Sequence, residues 1–117
     1  MKDRVKPITL TLDNGKKYVL DFDRDSALYA EEHGFSITDA EKSPLSSSYK
    51  IFYFAMLKNH PEVTYEFAKD FIDKQFGGVA KLPKGFIARL GDLYTSTFGS
   101  LNDEDEEVKN PHVTVDM

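Results

Sequence analysis

The side chains with the clearest potential for chemistry are four acids that follow the spacing of a calcium-binding loop. Asp21, Asp23 and Asp25 alternate along the chain, and Glu32 is the twelfth residue counted from Asp21. Carboxylate oxygens are preferred Ca²⁺ ligands, and this loop type uses positions 1, 3, 5 and 12. The sixth position, however, is Ser26 where the sharp turn of such a loop requires glycine. The pattern therefore favours acids at a helix N-terminus over a calcium loop.

The other residue types that catalyse reactions or bind metals form no recognisable motif. His33, His60 and His112 are not spaced as two ligands on one helix face, although convergence in the fold stays open. The chain has no cysteine, which excludes disulfides, thiolate metal sites and cysteine nucleophiles and fits a reducing cytoplasm. Neither a nucleophilic serine elbow nor a phosphate-binding loop is present. We therefore expect no enzyme activity, no metal and no cofactor.

The strongest local structural signal is a β-hairpin at about residues 7–23. Two runs of alternating apolar and polar residues flank Asn14-Gly15, a pair that predicts a type I′ turn. A lone hairpin is only marginally stable in water, so its apolar face requires a partner. That face carries six residues: Ile8, Leu10, Leu12, Tyr18, Leu20 and Phe22.

Four short helices are predicted after the hairpin, at about residues 25–33, 47–59, 64–76 and 84–99. Asp23 or Asp25 caps the first helix, Gly34 ends it, and Thr64 caps the third. The second is apolar on every face, which favours a buried central helix, with a strand as the alternative. Residues 35–48, which include Pro44, predict a loop. The resulting class is α+β, with one domain at 1–101 and an acidic flexible tail at 102–117.

The charge is distributed unevenly along the chain. The net charge is -5, yet residues 103–107 are five consecutive acids, and residues 1–102 hold 14 acids and 14 bases. A neutral domain with scattered lysines argues against nucleic-acid binding. No run is apolar and long enough to predict a secretion signal or a membrane span. The acidic run predicts a solvated tail that keeps complexes soluble, repels nonspecific partners or has no role.

The order of these signals resembles the small tail assembly chaperones of long-tailed bacteriophages and their prophages. The similarity covers roughly residues 5–100. It is carried by the hairpin turn at 12–18 (LDNGKKY), the helix end at 32–35 (EHGF), the apolar segment at 51–61 (IFYFAMLKNHP) and the capped helix from Thr64. The resemblance implies that the chain would correspond to the short form of such proteins, many of which also have a longer frameshifted form.

The resemblance implies a non-enzymatic protein of the host cytoplasm that is absent from the finished virion. It would coat and solubilise the apolar, helical tape-measure protein, help to recruit tail-tube subunits and self-associate. Grooves for such a client predict partner-binding side chains on the helices, namely Phe67, Phe71, Phe86, Leu90 and Tyr94. The alternatives are another phage structural or adaptor protein, such as a head-tail connector accessory, and a calcium-binding module.

Overall fold

The computed structural model describes the backbone of residues 5–102 and the side chains of residues 5–98. Within that range a two-stranded antiparallel hairpin precedes four α-helices, which confirms the predicted α+β class. The strands are β1 (Ile8–Thr11) and β2 (Lys17–Leu20), and the helices are α1 (Arg24–Glu32), α2 (Pro44–Leu57), α3 (Tyr65–Asp70) and α4 (Phe86–Asn102). Two 3₁₀ segments lie between the helices, at Ile37–Ala40 and Val79–Lys81. A π-helical segment, Phe71–Phe76, continues α3.

The hairpin has the predicted apolar face but not the predicted turn. Ile8 pairs with Leu20 and Leu10 with Tyr18, so the apolar side chains share one face. The Gly15 backbone N–H donates to the Leu12 carbonyl, and Gly15 alone in the loop has a positive φ, of 90°. A type I′ turn requires positive φ at both central residues, so that prediction was wrong. The connection is a three-residue loop with glycine in the left-handed position.

Helix α2 is the centre of the fold. It contacts β2, α1, α3, α4 and the first 3₁₀ segment, and its buried residues include Ile51, Phe52, Phe54 and Met56. Burial on several faces explains why its sequence lacks an amphipathic pattern. Around it, ring contacts join Phe52 to Phe71 and Phe86, at centroid distances of 5.6 and 6.2 Å.

Helix α2 begins three residues before its predicted start. Pro44 is its first residue, where the missing N–H costs no hydrogen bond because helix-start donors have no partner within the helix. Residues 37–40, which also belong to the predicted loop, form a 3₁₀ turn. The loop at 35–48 is therefore shorter than expected. At the other end of the chain, the predicted acidic tail starts at Asn102, which is the last residue of α4, and its residues 103–117 lie outside the described residues.

Asp23 caps α1 through a reciprocal pair of hydrogen bonds. The Ser26 backbone N–H donates to Asp23 Oδ1 at 2.8 Å, and the Asp23 backbone N–H donates to Ser26 Oγ at 2.9 Å. The bond from the Ser26 backbone holds the pKa of Asp23 below its ordinary value of 3.8. The ionised carboxylate therefore stabilises the fold above pH 3.8, and this contribution is lost as pH falls through the lowered pKa.

Asp23→Ala is accordingly expected to lower the free energy of unfolding by about 1 kcal/mol at pH 7, as loss of an N-cap does. Urea unfolding at pH 7 and at about pH 2 should show that the difference in unfolding free energy between the variant and the wild type is smaller in acid. Asp23→Asn is the control, because an amide oxygen accepts the same bond without titrating. An equal Asp23→Ala gap at both pH values would contradict this role for the charged cap.

The edge of β2 that does not pair with β1 is hydrogen-bonded to residues that follow α2. The Val19 backbone N–H donates to His60 Nε2 at 2.9 Å, and Asn59 Nδ2 donates to the Val19 carbonyl at 3.4 Å. The Asp21 backbone N–H donates to the Ala55 carbonyl at 3.0 Å. These bonds attach the hairpin to the central helix through polar groups as well as through its apolar face.

Removing the imidazole from this edge should destabilise the protein. His60→Ala leaves the Val19 N–H without its acceptor and removes a ring 5.0 Å from that of Tyr18, so we expect a loss of about 1–3 kcal/mol. Asn59→Ala removes only the longer bond to the same residue, and its expected loss is below about 1 kcal/mol. Equal losses for the two variants in denaturant unfolding would show that the imidazole bond is not the stronger attachment.

Candidate functional site

Four of the five side chains predicted to bind a partner lie in the core. Phe71, Phe86, Leu90 and Tyr94 are at most 7% exposed. Phe67 alone among the five is on the surface, with 38% of its area exposed. The predicted side chains therefore do not form one accessible surface in this fold, because the stripe of α4 that carries three of them faces α1 and α2.

An open groove lies instead where α1, α2 and the start of α3 meet. It has a volume of about 300 Å³, and we name it the tyrosine groove. It is lined by Tyr29, His33, Lys50, Tyr53, Phe54 and Tyr65.

Helix geometry brings the aromatic rings of the tyrosine groove together. Tyr29 on α1 and His33, the residue that caps the end of α1, are four residues apart, so they share a face and stack with their ring centroids 3.9 Å apart. The Tyr53 ring lies 5.5 Å from that of Tyr65, the first residue of α3. Phe54, which is buried, forms the floor and contacts the Tyr29 ring at 6.2 Å. The groove therefore has aromatic walls supplied by three helices.

A neighbouring groove of about 260 Å³ extends this surface toward the end of α2. It shares Tyr29 and Phe54 with the tyrosine groove, so the two form one apolar surface divided by the Tyr29 ring. Tyr29 is 44% exposed, a large fraction for an aromatic side chain. The remaining lining residues of the neighbouring groove are Ser26, Leu57, Lys58 and Pro61.

The ionisable groups at the tyrosine groove are phenols, one imidazole and cations. Partial burial raises the pKa of Tyr53, with a smaller contribution from Tyr29, so the Tyr53 phenol keeps its proton at neutral pH. Lys50 lines the groove, and Lys69 Nζ lies 5.3 Å from the centre of the Tyr65 ring. Among the residues that the structure describes, no carboxylate lines this groove or its neighbour. The surface therefore suits apolar groups accompanied by negative charge.

A further apolar groove, of about 200 Å³, lies on a different face of the domain. It is bounded by the first 3₁₀ segment, the start of α2 and α4, and we name it the α4 groove. Ile37, which lines it, is 37% exposed, and Leu45 near the start of α2 is 58% exposed. These two residues supply a comparison for the tyrosine groove in binding experiments.

Two of the four acids of the calcium-like pattern have structural partners. Asp21 is buried and receives a 2.7 Å hydrogen bond from Lys58 Nζ, while Asp23 caps α1. Within the described part of the chain, no group of three or more acidic or histidine side chains is placed to hold a metal ion. His33 packs on Tyr29 and His60 bonds to β2, so these two histidines are apart, and His112 lies outside the described residues.

The sequence contains a signal for the tyrosine groove that the predicted site did not use. A tyrosine combines a large apolar ring with a hydroxyl that stays hydrated, so it suits half-exposed positions better than phenylalanine. On α2, Tyr53 is half-buried while Phe52 and Phe54 on either side are buried. Tyr29 and Tyr65 belong to other helices, and only the tertiary structure brings the three together.

Comparison with known proteins adds a family to this description. The profile of a domain of unknown function, DUF5055, matches residues 1–117. The chain belongs to the DUF5055 family. No curated protein and no solved structure gives a significant match to this DUF5055 chain. Among the described helices of the DUF5055 domain, none is long and apolar enough to cross a membrane.

Proposed function

We propose that this protein is a non-enzymatic tail assembly chaperone of a long-tailed phage or prophage. In this role it binds and solubilises the tape-measure protein and helps to recruit tail-tube subunits. It acts in the host cytoplasm, self-associates and is absent from the finished virion. The observation that carries the proposal is the open aromatic surface between α1, α2 and α3, together with the resemblance in the order of sequence motifs.

This surface has the chemistry that an apolar helix requires. Peptide helices dock through side chains on successive turns, which enter an apolar groove as a row of anchors. Two grooves that share Tyr29 and Phe54 fit two such anchors, one on either side of the Tyr29 ring. Tyrosines supply large contact areas at low conformational cost and offer hydroxyls to the polar flank of the helix.

The direct test is co-expression with a fragment of the tape-measure protein that the proposal assigns as the client. The full chain should shift the fragment from the insoluble to the soluble fraction and co-purify with it. A fragment that stays equally insoluble with and without the chain would contradict the proposal. Mass spectrometry of purified virions tests the same proposal against a retained adaptor, because a chaperone is expected to be missing from the particles.

A further inference from the structure

We infer that two copies of this chain pair through β1, at the edge of the strand that faces away from β2. We name it the β1 edge. The two hairpins then join as antiparallel strands into one continuous sheet across a two-fold axis. The inference rests on the proposed function only for the self-association included there, because strand pairing between copies requires no client. Its support comes from the backbone of β1, the side chains along it and the charges at its two ends.

The backbone groups of the β1 edge have no partner among residues 5–102. Opposite residues of an antiparallel pair alternate between exchanging hydrogen bonds and pointing their N–H and C=O groups away from each other. Val19 bonds outward, to His60 and Asn59, so Thr9 opposite Val19 also points outward. Thr11 follows by alternation, and both threonines are exposed. The β1 edge therefore offers hydrogen-bond donors and acceptors to another strand.

The β1 edge lacks the features that usually protect a free edge. Exposed edge strands are commonly guarded by charged side chains, prolines or bulges. From Ile8 to Leu12 the chain has no charge and no proline, and the residue pairs of the ladder are consecutive, without a bulge. Ile8, Leu10 and Leu12 pack on the core but are only partly buried. A strand added at this edge covers apolar side chains as well as backbone groups.

A second copy of β1 fits this edge because the strand is complementary to itself. With Leu10 on the two-fold axis, Ile8 faces Leu12 of the second copy. Thr9 then exchanges both backbone hydrogen bonds with Thr11 of the second copy. Apolar side chains lie on one face of the joined sheet and threonines on the other. A shift by one residue would place apolar side chains opposite threonines, and among the registers that keep the faces aligned this one pairs all three apolar residues.

The charges at the ends of β1 favour the antiparallel orientation. Lys6 precedes the strand and Asp13 follows it, and both are exposed. Antiparallel pairing brings the lysine end of each strand beside the aspartate end of the other, whereas parallel pairing would place like charges together. Lys16 and Lys17 lie on the β2 side of the hairpin, one strand further from the second copy. The residues closest to the second copy are therefore complementary in charge.

The test uses the full chain without a client. Sedimentation equilibrium should show a reversible dimer, and NMR of mixed labelled and unlabelled chains should detect a contact between the Hα atoms of Ile8 and Leu12 in different copies. Ile8 pairs with Leu20 in its own chain and lies about 13 Å along the strand from its own Leu12, so this contact cannot arise within one copy. A chain that stays monomeric up to about 1 mM, or an oligomer without this contact, would overturn the inference.

Two double variants at the same positions make the test specific to β1. Thr9→Glu with Thr11→Glu sets like charges opposite each other across the proposed pair and should weaken dimerisation about tenfold or more. Thr9→Lys with Thr11→Glu is the matched control, because it sets opposite charges there and should dimerise at least as tightly as the wild type. In both variants the glutamate that replaces Thr11 faces Lys17 of its own chain. Equal dimerisation of the two variants would contradict pairing through this edge.

A proline variant tests the backbone bonds themselves. Thr9→Pro removes an N–H directed at the second copy and breaks no bond of the chain's own ladder, because Thr9 faces away from β2. We expect roughly tenfold weaker dimerisation, from one lost bond in each copy. Thr9→Val keeps the N–H and should dimerise like the wild type. An unchanged dimer in Thr9→Pro, with the hairpin intact by NMR, would overturn the inference.

Failure of strand pairing and failure of the proposed function can be told apart. No tape-measure fragment is present in these samples. A monomeric chain that still solubilises the fragment would overturn strand pairing and leave client binding supported. A fragment that stays insoluble beside an intact dimer would contradict the chaperone role and leave strand pairing supported.

Discussion

Replacing Tyr94 by alanine is expected to lower the free energy of unfolding by about 3–5 kcal/mol, as truncation of a buried aromatic ring typically does. Its ring is 1% exposed and contacts Phe22, Phe35 and Phe98 at centroid distances of 5.0–5.4 Å. The variant also loses the hydroxyl that donates to Glu31. Urea unfolding followed by circular dichroism would measure the change.

Phe67→Ala provides the matched control for this loss. Phe67 is an aromatic residue of the same predicted set, but it is 38% exposed, so its truncation should cost no more than about 1–2 kcal/mol. Its remaining cost comes from ring contacts with Tyr18 and Phe71. If Phe67→Ala destabilised the protein as much as Tyr94→Ala, the division between core and surface residues would be incorrect.

The second large effect is expected on binding. Tyr29→Ala combined with Tyr53→Ala removes the ring that divides the two grooves and a wall of the tyrosine groove. Central aromatic anchors contribute about 2 kcal/mol or more each to an interface. Each single loss corresponds to roughly 30-fold weaker binding of a tape-measure fragment, so the double variant should bind it roughly several hundredfold more weakly. Titration of a fluorescently labelled fragment would give the two dissociation constants.

The control for binding is a double variant at the α4 groove. Ile37→Ala removes an exposed side chain that lines this groove, and Leu45→Ala removes an exposed apolar side chain of similar hydrophobicity near the start of α2. Its affinity should stay within about threefold of the wild type, because residues outside the binding surface contribute little. A large loss of affinity in the Ile37/Leu45 double variant, with none in the Tyr29/Tyr53 double variant, would indicate that the client binds at the α4 groove. Circular dichroism of both variants verifies that each is folded.

Much of the fold could be predicted because local signals agreed with the tertiary structure. Period-two alternation indicated the shared apolar face of the hairpin, Asp23 and Thr64 formed the expected caps, and Gly34 follows α1 with a φ of 102°. The turn type differed because Asn14 keeps a negative φ and Gly15 alone takes the left-handed conformation. The predicted start of α2 was too late because a proline at the first position of a helix cannot be told from a loop proline by sequence alone.

The candidate site was harder to predict, because amphipathic spacing marks a buried stripe and a binding stripe in the same way. Leu90 and Tyr94 on α4 have the spacing of either, and only packing against α1 and α2 shows that they are core. The tyrosine groove depends on three helices that are distant in sequence. Tyrosine in place of phenylalanine indicates Tyr53, which is half-buried between the buried Phe52 and Phe54, but Tyr18 and Tyr94 are core residues, so residue type alone does not separate the groove from the core.

The central claim is that the tyrosine groove binds the client helix, and NMR titration of the isotope-labelled full chain with a tape-measure fragment tests it most directly. The account predicts that chemical shift changes concentrate on Tyr29, Tyr53 and Tyr65. These changes should reach a plateau as the fragment is added and is kept soluble by the chain. Signals of Ile37 and Ile87 at the α4 groove should stay unchanged. Saturating changes at the α4 groove with none at the three tyrosines, or no saturable change anywhere, would contradict the account.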